Sequence, residues 1–426
     1  MTRIFIELPT WLGDSVMASA ALREIFWHFK GVNESLQGFE NYGTKNALHL
    51  QKNPQQSLEN SHSQINLNPA KLTNNSLNQT SLKNSKNILN SQEKLQQSPQ
   101  KQVEFTLYGS FVACELFKGL KEFETLKEKF KDSKEFKNYD NFSFKFIVQA
   151  PKAKGFLAPF KRLLNLKKLA KDLGKFNYAL SFRSASSSKI LLFFISAKNK
   201  FVFDKNQNKE AHQVLKYLAF VENVLNLKAT SSELFLPSPA FKDISANEKQ
   251  ELCDKFTLLQ DKKWLGINAG AKYGLAKCWD KEYFAKVALE FKKTHEILIF
   301  GVQSEAEICE FIEQNLAQKG VRAHNLCGKT SISELCTLIS ALDIFISNDS
   351  GAMHIAASYK TPTVAIFGPT RFTQTSPWQN ERAKIVHLNL ACMPCMKRVC
   401  PLKHHGCMKD LKPILVINAA NELLAL

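Results

Sequence analysis

The sequence predicts an α/β protein made of two parallel-sheet domains that face a cleft. Three observations carry that expectation. Strand-like and helix-like segments alternate from Ile4 onward, a second alternating series starts at WLGINAG, and between them LPSPAF (236–241) places two prolines in a row of turn residues. Parallel strands need crossover connections, usually helices, so alternation of this kind reads as doubly wound sheets. The N-terminal domain is set at 1–240 and the C-terminal domain at 241–426, with the final helix a candidate to pack back on the N-terminal domain.

In chain order, the first strand starts near Ile4 and ASAALREIFWHF (18–29) forms a helix. The composition then changes: from Gln51 to Gln100, Asn, Gln and Ser fill 27 of 50 positions and no aromatic residue occurs. Such a segment cannot bury enough apolar area to offset the entropy of ordering it. Residues 34–102 are therefore expected to be a disordered insertion in a loop of the first domain. Removing it joins the first helix to the strand VEFTLYGS (103–110). Further strands are expected at FKFIVQA (144–150), NYALSF (177–182) and KFVF (200–203), with lysine-rich helices between them. HQVLKYLAFVENVL (212–225) is a helix with one apolar face. The second series reads WLGINAG, ILIFGVQ, VRAHNLCG, DIFISNDSG and TPTVAIFGPT.

A length of 426 residues with 44% hydrophobic content suits two ordinary cores plus an extra segment. The N-terminal apolar run is about five residues long before Pro9, Gly13 and Asp14 intervene, which is too short for a secretory signal. Nothing approaches the roughly eighteen apolar residues of a membrane span. A cytoplasmic protein is expected, and its ten cysteines should be thiols or metal ligands. The net charge of +18 suits an anionic partner. Its lysines are spread through both domains without an aromatic-interleaved strand face, so nucleic acid is not that partner.

Ligands of doubly wound sheets collect where strands end and helices begin. Three such ends carry polar, glycine-containing turns: LPTWLGDS (8–15), NAGAKYGLAKCW (268–279) and NDSGAMH (348–354). No GxGxxG follows a strand, and AHNLCGKT (323–330) has Ala323 where a P-loop needs glycine, which argues against a dehydrogenase or an ATPase. In NDSGAMH, Asp349 or Ser350 reads as a helix cap. The same turn also reads as an anion site, with Gly351 admitting a phosphate to the helix amides.

PTWLGDSVMASAALREIF, GAKYGLAKCW, NLCGKTSISEL and SNDSGAMHIAASYKTPTVAIFGPT, in that order, resemble the ADP-heptose:lipopolysaccharide heptosyltransferases of glycosyltransferase family 9, and CMPCMKRVCPLKHHGC (392–407) adds to the likeness. The resemblance implies a GT-B fold of two Rossmann-like domains, acceptor on the first and sugar nucleotide on the second. It implies inverting transfer of L-glycero-D-manno-heptose from ADP-heptose to the first heptose of the lipopolysaccharide inner core (heptosyl-Kdo-lipid A). The alternatives are the first heptose transfer or another nucleotide sugar. With a lipid-anchored, anionic acceptor, the protein is expected at the cytoplasmic surface of the inner membrane, held peripherally and released by salt.

Direct attack with inversion needs a base for the acceptor hydroxyl and positive charge at the departing diphosphate. Asp14, matching the aspartate of the family's GD motif, is the expected base; its alternative is a cap for helix 15–29. Lys277 matches the lysine that neutralises the diphosphate, with a solvated surface charge as the alternative. On the donor side Ser350, Gly351 and the helix amides hold the phosphates, Asp349 takes donor hydroxyls, and Gly270 and Ala271 also border the donor. His354 reaches the same edge or lies in the core. Gln303 or Glu305 meets the adenosine ribose, unless Glu305 caps the next helix, and Thr330 lines the base or caps a helix.

Thr10, Trp11, Gly13, Arg183 and Lys189 are expected on the acceptor side, the last two on phosphates or carboxylates or else in a solvated basic loop. Cys392, Cys395, Cys400 and Cys407, with His404 and His405 nearby, read as packed thiols, a structural zinc site or a redox disulfide. The transfer itself requires no cofactor.

Overall fold

The computed structural model describes residues 1–29, 102–120, 142–150, 158–272 and 274–426. The insertion expected at 34–102 lies outside these residues but for Gln102. The first sheet contains β1 (Thr2–Glu7), β2 (Val103–Gly109), β3 (Phe142–Val148), β4 (Lys175–Ser181) and β5 (Ser196–Val202), all parallel, in the order β3-β2-β1-β4-β5. Leaving β1 the chain winds one way through α1 (Leu12–Phe29) and α2 (Phe111–Phe117), then returns through α3 (Ala158–Leu173) and α4 (Ser186–Phe194). A right-handed crossover then puts α1 and α2 on one face and α3 and α4 on the other.

After α5 (Gln213–Leu225) and α6 (Ala246–Phe256) comes the second sheet: β6 (Lys263–Asn268), β7 (His295–Phe300), β8 (Ala323–Asn325), β9 (Ile344–Asn348), β10 (Thr363–Ile366) and β11 (Ala383–Val386). It is also parallel, ordered β11-β10-β9-β6-β7-β8, with α7 (Lys281–Phe291), α8 (Ala306–Ala317), α9 (Ile332–Ser340), α10 (Gly351–Ser358) and α11 (Pro413–Leu424) around it. Strand order reverses at β1 in the first sheet and at β6 in the second. The turns after β1, β6 and β9 therefore sit at the switch points where such sheets bind ligands.

Central strands are buried on both faces, as runs such as IFISN in β9 require. Side chains start the helices where the sequence offers them. Ser110 caps α2, and Ser245 with Glu248 and Ser331 with Glu334 form capping boxes on α6 and α9. One apolar cluster joins the two halves, from Val16, Ile25 and Phe105 in the first to Leu326, Phe345 and Ile355 in the second. The proline-marked junction is pinned to the second half: Thr337 Oγ1 donates to Pro239 O, Tyr359 OH to Ser238 O, and Phe241 N to Ser340 Oγ.

Three expectations need correction. The first helix starts at Leu12, ahead of the starts expected at 15 or 18, because Leu12 and Val16 find apolar partners that a single-helix reading cannot anticipate. The strand expected over VRAHNLCG shrinks to Ala323–Asn325, an edge strand paired on one side only. The final helix α11, a candidate to pack back on the N-terminal domain, packs among the described residues with the second sheet, where Val416, Ala419, Ala420 and Leu423 join Trp279 and Phe284.

Candidate active site

The amino ends of α1 and α10 meet across the two halves. A Cβ on Gly13 would lie 2.7 Å from His354 Cδ2, and one on Gly351 would lie 2.9 Å from Leu12 Cβ. Glycine at both positions is what lets the helices approach. Their positive dipole ends and free amides thus converge on one place, suited to an anion.

Asp14 is the third residue of α1, past the cap position, so the capping alternative does not describe it. Its carboxylate is half-buried and feels the Lys277 ammonium and the Asp349 carboxylate. Loss of water, reinforced by Asp349 and only partly offset by Lys277, pushes its pKa up to about 6. Tyr217 of α5, fully enclosed, lies close enough for Asp14 to help raise its phenol well above the ordinary value, after burial itself. A carboxylate poised near neutrality in a cleft is what proton transfer needs.

Lys277 is not a solvated charge. Its Nζ sits 2.5 Å from Asp349 Oδ2, with both side chains largely buried, and Thr370 Oγ1 donates to the same oxygen at 2.7 Å. Asp349, expected to take donor hydroxyls, is thus engaged by a cation and a hydroxyl. Ser350 settles as the N-cap of α10: its Oγ accepts from Met353 N, and Asn268 Nδ2 and Ser347 Oγ lie within 3.2 Å. His354 is buried, and burial lowers its pKa to about 4, so it is a neutral ring against Gly13; its Nδ1 has no hydrogen-bond partner among the described residues.

Two asparagines missed by sequence reasoning hold this edge together. Asn268 and Asn348 are the last residues of adjacent strands β6 and β9. Asn268 Nδ2 donates to Gly270 O and Ser350 Oγ; Asn348 Nδ2 donates to Ala269 O while its Oδ1 accepts from Trp279 N. The signal was available: WLGIN and IFISN both end on Asn, where a side chain can stitch one turn to the next.

Glu305 and Gln303 diverge. The Glu305 carboxylate lies against the Gly270 backbone, accepts from Val302 N at 3.0 Å, and has its pKa raised by burial. Gln303 is exposed and its Oε1 faces Gly328. Ala271 follows in the same β6 turn, half-buried. Thr330 is no cap, since Ser331 takes that role for α9.

Near the first sheet, Arg183 is not in a solvated loop: Nη1 contacts Glu7 Oε1 at 3.0 Å and Gln149 Oε1 at 3.4 Å, while Ser181 Oγ donates to Glu7 Oε2. Lys189 on α4 is exposed. Thr10 O accepts from Ser110 Oγ at 2.9 Å, and the half-exposed Trp11 ring faces the Lys272 ammonium at 5.9 Å from the second half.

The cysteine-rich loop braces the turn that carries Lys277. His405 Nε2 lies 2.9 Å from Ala276 O, and Ala276 N donates to Arg398 O. Gly274, at φ +151°, leaves room for Arg398 O, which an added Cβ would approach to 2.7 Å. Cys392, Cys395, Cys400, Cys407, His404 and His405 line one pocket. The cysteines are free thiols, with Cys407 pushed up to about 11 by burial and its neighbouring thiols. Among the described residues no three His, Cys, Asp or Glu side chains are grouped to hold a metal ion. Gly274→Ala should cost roughly 1–3 kcal/mol in backbone strain and crowding. Thermal melting together with donor titration checks it, and unchanged values in both would remove the brace.

Two doubly wound domains whose carboxyl edges meet over an acid from one half and a lysine from the other define a two-domain glycosyltransferase. The model of glycosyltransferase family 9 (heptosyltransferase) matches residues 166–405, and the chain belongs to that family. It is 42% identical to lipooligosaccharide heptosyltransferase 2 of Campylobacter jejuni over 423 residues, 99% of this chain and 98% of that protein. Lipopolysaccharide heptosyltransferase 2 of Escherichia coli is 28% identical over 44% of this chain and 56% of its own length. In fold, the chain is similar to E. coli ADP-heptose lps heptosyltransferase II, with a TM-score of 0.60 at 17% identity, covering 100% of this chain and 99% of that one. The E. coli heptosyltransferase WaaC with ADP gives 0.54 at 11% identity over 99% of this chain and 100% of the other.

Proposed function

We propose that the protein transfers L-glycero-D-manno-heptose from ADP-heptose to the first heptose of the lipopolysaccharide inner core, inverting the anomeric carbon. The observation that carries this reading is the approach of Asp14, with its pKa near 6, to the Lys277 turn across the meeting of α1 and α10. The acceptor oxygen attacks the anomeric carbon from the face opposite the diphosphate as the bond to the leaving oxygen breaks. Its proton passes to the Asp14 carboxylate. The ADP that departs carries the negative charge, which Lys277 and the first amides of α10, at Gly351 and Ala352, are placed to meet. This sequence of bonds needs no cofactor.

The donor then lies along the β6 and β9 turns, with Gly270 and Ala271 at the phosphates and Glu305 toward the adenosine ribose. Thr10, Trp11, Gly13, Arg183 and Lys189 border the acceptor, whose phosphates and Kdo carboxylates suit the basic side chains. Identity of 42% over 99% of this chain to a Campylobacter heptosyltransferase 2 supports the second transfer step. Such an acceptor is anchored in lipid, which puts the enzyme at the cytoplasmic face of the inner membrane. No helix among the described residues is long and apolar enough to cross it.

Incubating the protein with ADP-heptose and cores bearing no heptose or one heptose tests the reading. Product is expected only from the core that carries one. Product from the heptose-free core would assign the first transfer instead, and product only with a different nucleotide sugar would remove ADP-heptose as donor.

A further inference from the structure

Solvent-facing helix surfaces normally carry polar residues, but α3 and α4 do not follow that pattern. The two helices lie on the same face of the first sheet and bury Leu166, Ala170, Leu191 and Leu192 against Phe5 and Phe176. Their outer surface still presents Phe160 (61% exposed), Leu164 (50%) and Phe193 (75%), with Leu163 and Ile190 beside them. Around these stand the exposed Lys161, Lys167, Lys168 and Lys171 of α3 and Lys189 of α4, against one acid, Asp172.

The apolar turns also have a defined place. Helix α3 ends two residues before β4 starts, at the amino edge of the sheet. Its sixteen residues run about 24 Å, the length of a seven-residue strand at about 23 Å, so Phe160, Leu163 and Leu164 stand toward the carboxyl edge, where Asp14 and Arg183 lie.

We propose that this face of α3 and α4 docks on an anionic lipid bilayer, with Phe160, Leu164 and Phe193 in the headgroup boundary and the lysines of α3 on lipid phosphates. Apolar side chains ringed by cations match such a surface. A second copy of the chain matches it poorly, because two lysine-rich faces would repel. Docked this way, the helix face lies along the bilayer, with Phe193 near the end of α4 toward the amino edge of the sheet and Phe160 and Leu164 toward the carboxyl edge, the edge that would receive the lipid-borne acceptor. That last point rests on the lipid-borne acceptor proposed above; the docking itself does not.

The test is co-sedimentation of the full chain, without substrate, with phosphatidylglycerol-rich vesicles and with pure phosphatidylcholine vesicles. The wild type should bind the first and not the second. Phe160→Ser/Leu164→Ser and Lys167→Glu/Lys168→Glu should each weaken binding about tenfold or more, by losing apolar contact or charge. In several tenths molar salt, with a Debye length of roughly 4 Å, the apolar contact should keep a fraction of the wild type bound, in place of the full release expected from charge alone, and none of the serine variant should remain. Both variants should still use a delipidated core as acceptor. Should the serine variant not fold, the charge reversal carries the test. Unchanged vesicle binding in the variants, or a dimer in sedimentation velocity that the serine changes abolish, would overturn the proposal. Loss of vesicle binding in the variants supports docking even if the wild type transferred no heptose to a delipidated core, a result that would remove the proposed function alone.

Discussion

Asp14→Asn should lower turnover on the order of a hundredfold or more, the usual loss for a general base, and leave donor affinity in place. The amide keeps the size of the carboxylate and cannot take the acceptor proton. In the folded protein the carboxyl pKa rises from 3.8 to about 6, so the charged form is disfavoured by burial. Its destabilising effect is complete above about pH 6 and absent below about pH 4. Asn removes that effect, so melting at pH 8 should be unchanged or higher. For the wild type, turnover should fall as pH drops through about 6 and Asp14 takes up its proton. A rate profile that keeps its lower limb in Asp14→Asn, or turnover that does not change, would take Asp14 out of the mechanism.

Lys277→Ala should act twice, on folding and on the donor. Its removal leaves the Asp349 carboxylate, 4% exposed, held among the described residues by the Thr370 hydroxyl. Breaking a buried pair from one side costs about 3–5 kcal/mol. Donor binding and turnover should fall as well, through loss of the cation that meets the diphosphate. The double change Lys277→Met/Asp349→Asn separates the two effects. With neither charge left to bury, melting should recover most of its loss, while ADP-heptose binding measured by calorimetry stays weak. If donor binding recovered along with stability, the lysine would serve only to hold Asp349.

Ser350 and Asp349 mark how far local sequence reaches. The cap reading of NDSGAMH is met by Ser350, whose partner Met353 N is three residues away and legible from spacing. Nothing within ten residues of Asp349 indicates that its partners would be Lys277 and Thr370, 72 and 21 positions distant. Arg183 is similar: its ion pair with Glu7 spans the chain from β4 to β1, so the sequence left it between an acceptor contact and a solvated loop. The cysteine stretch 392–407 was visible as a cluster, but its use as a brace for Ala276 and Gly274 depends on a contact more than a hundred residues away.

By itself the sequence determined the layered architecture, the order of strands and helices along the chain, and the polar, glycine-containing turns at the strand ends. Those features follow from local period, local caps and the physics of parallel crossovers, each readable within a few residues. Tertiary structure decided what the turns do to one another. Leu12 begins α1 because the second half covers it, Gly13 and Gly351 let two helix ends touch, and only that approach brings Asp14 into the field of Lys277 and Asp349. Desolvation and charge coupling depend on distances in space, and separation along the chain does not encode them.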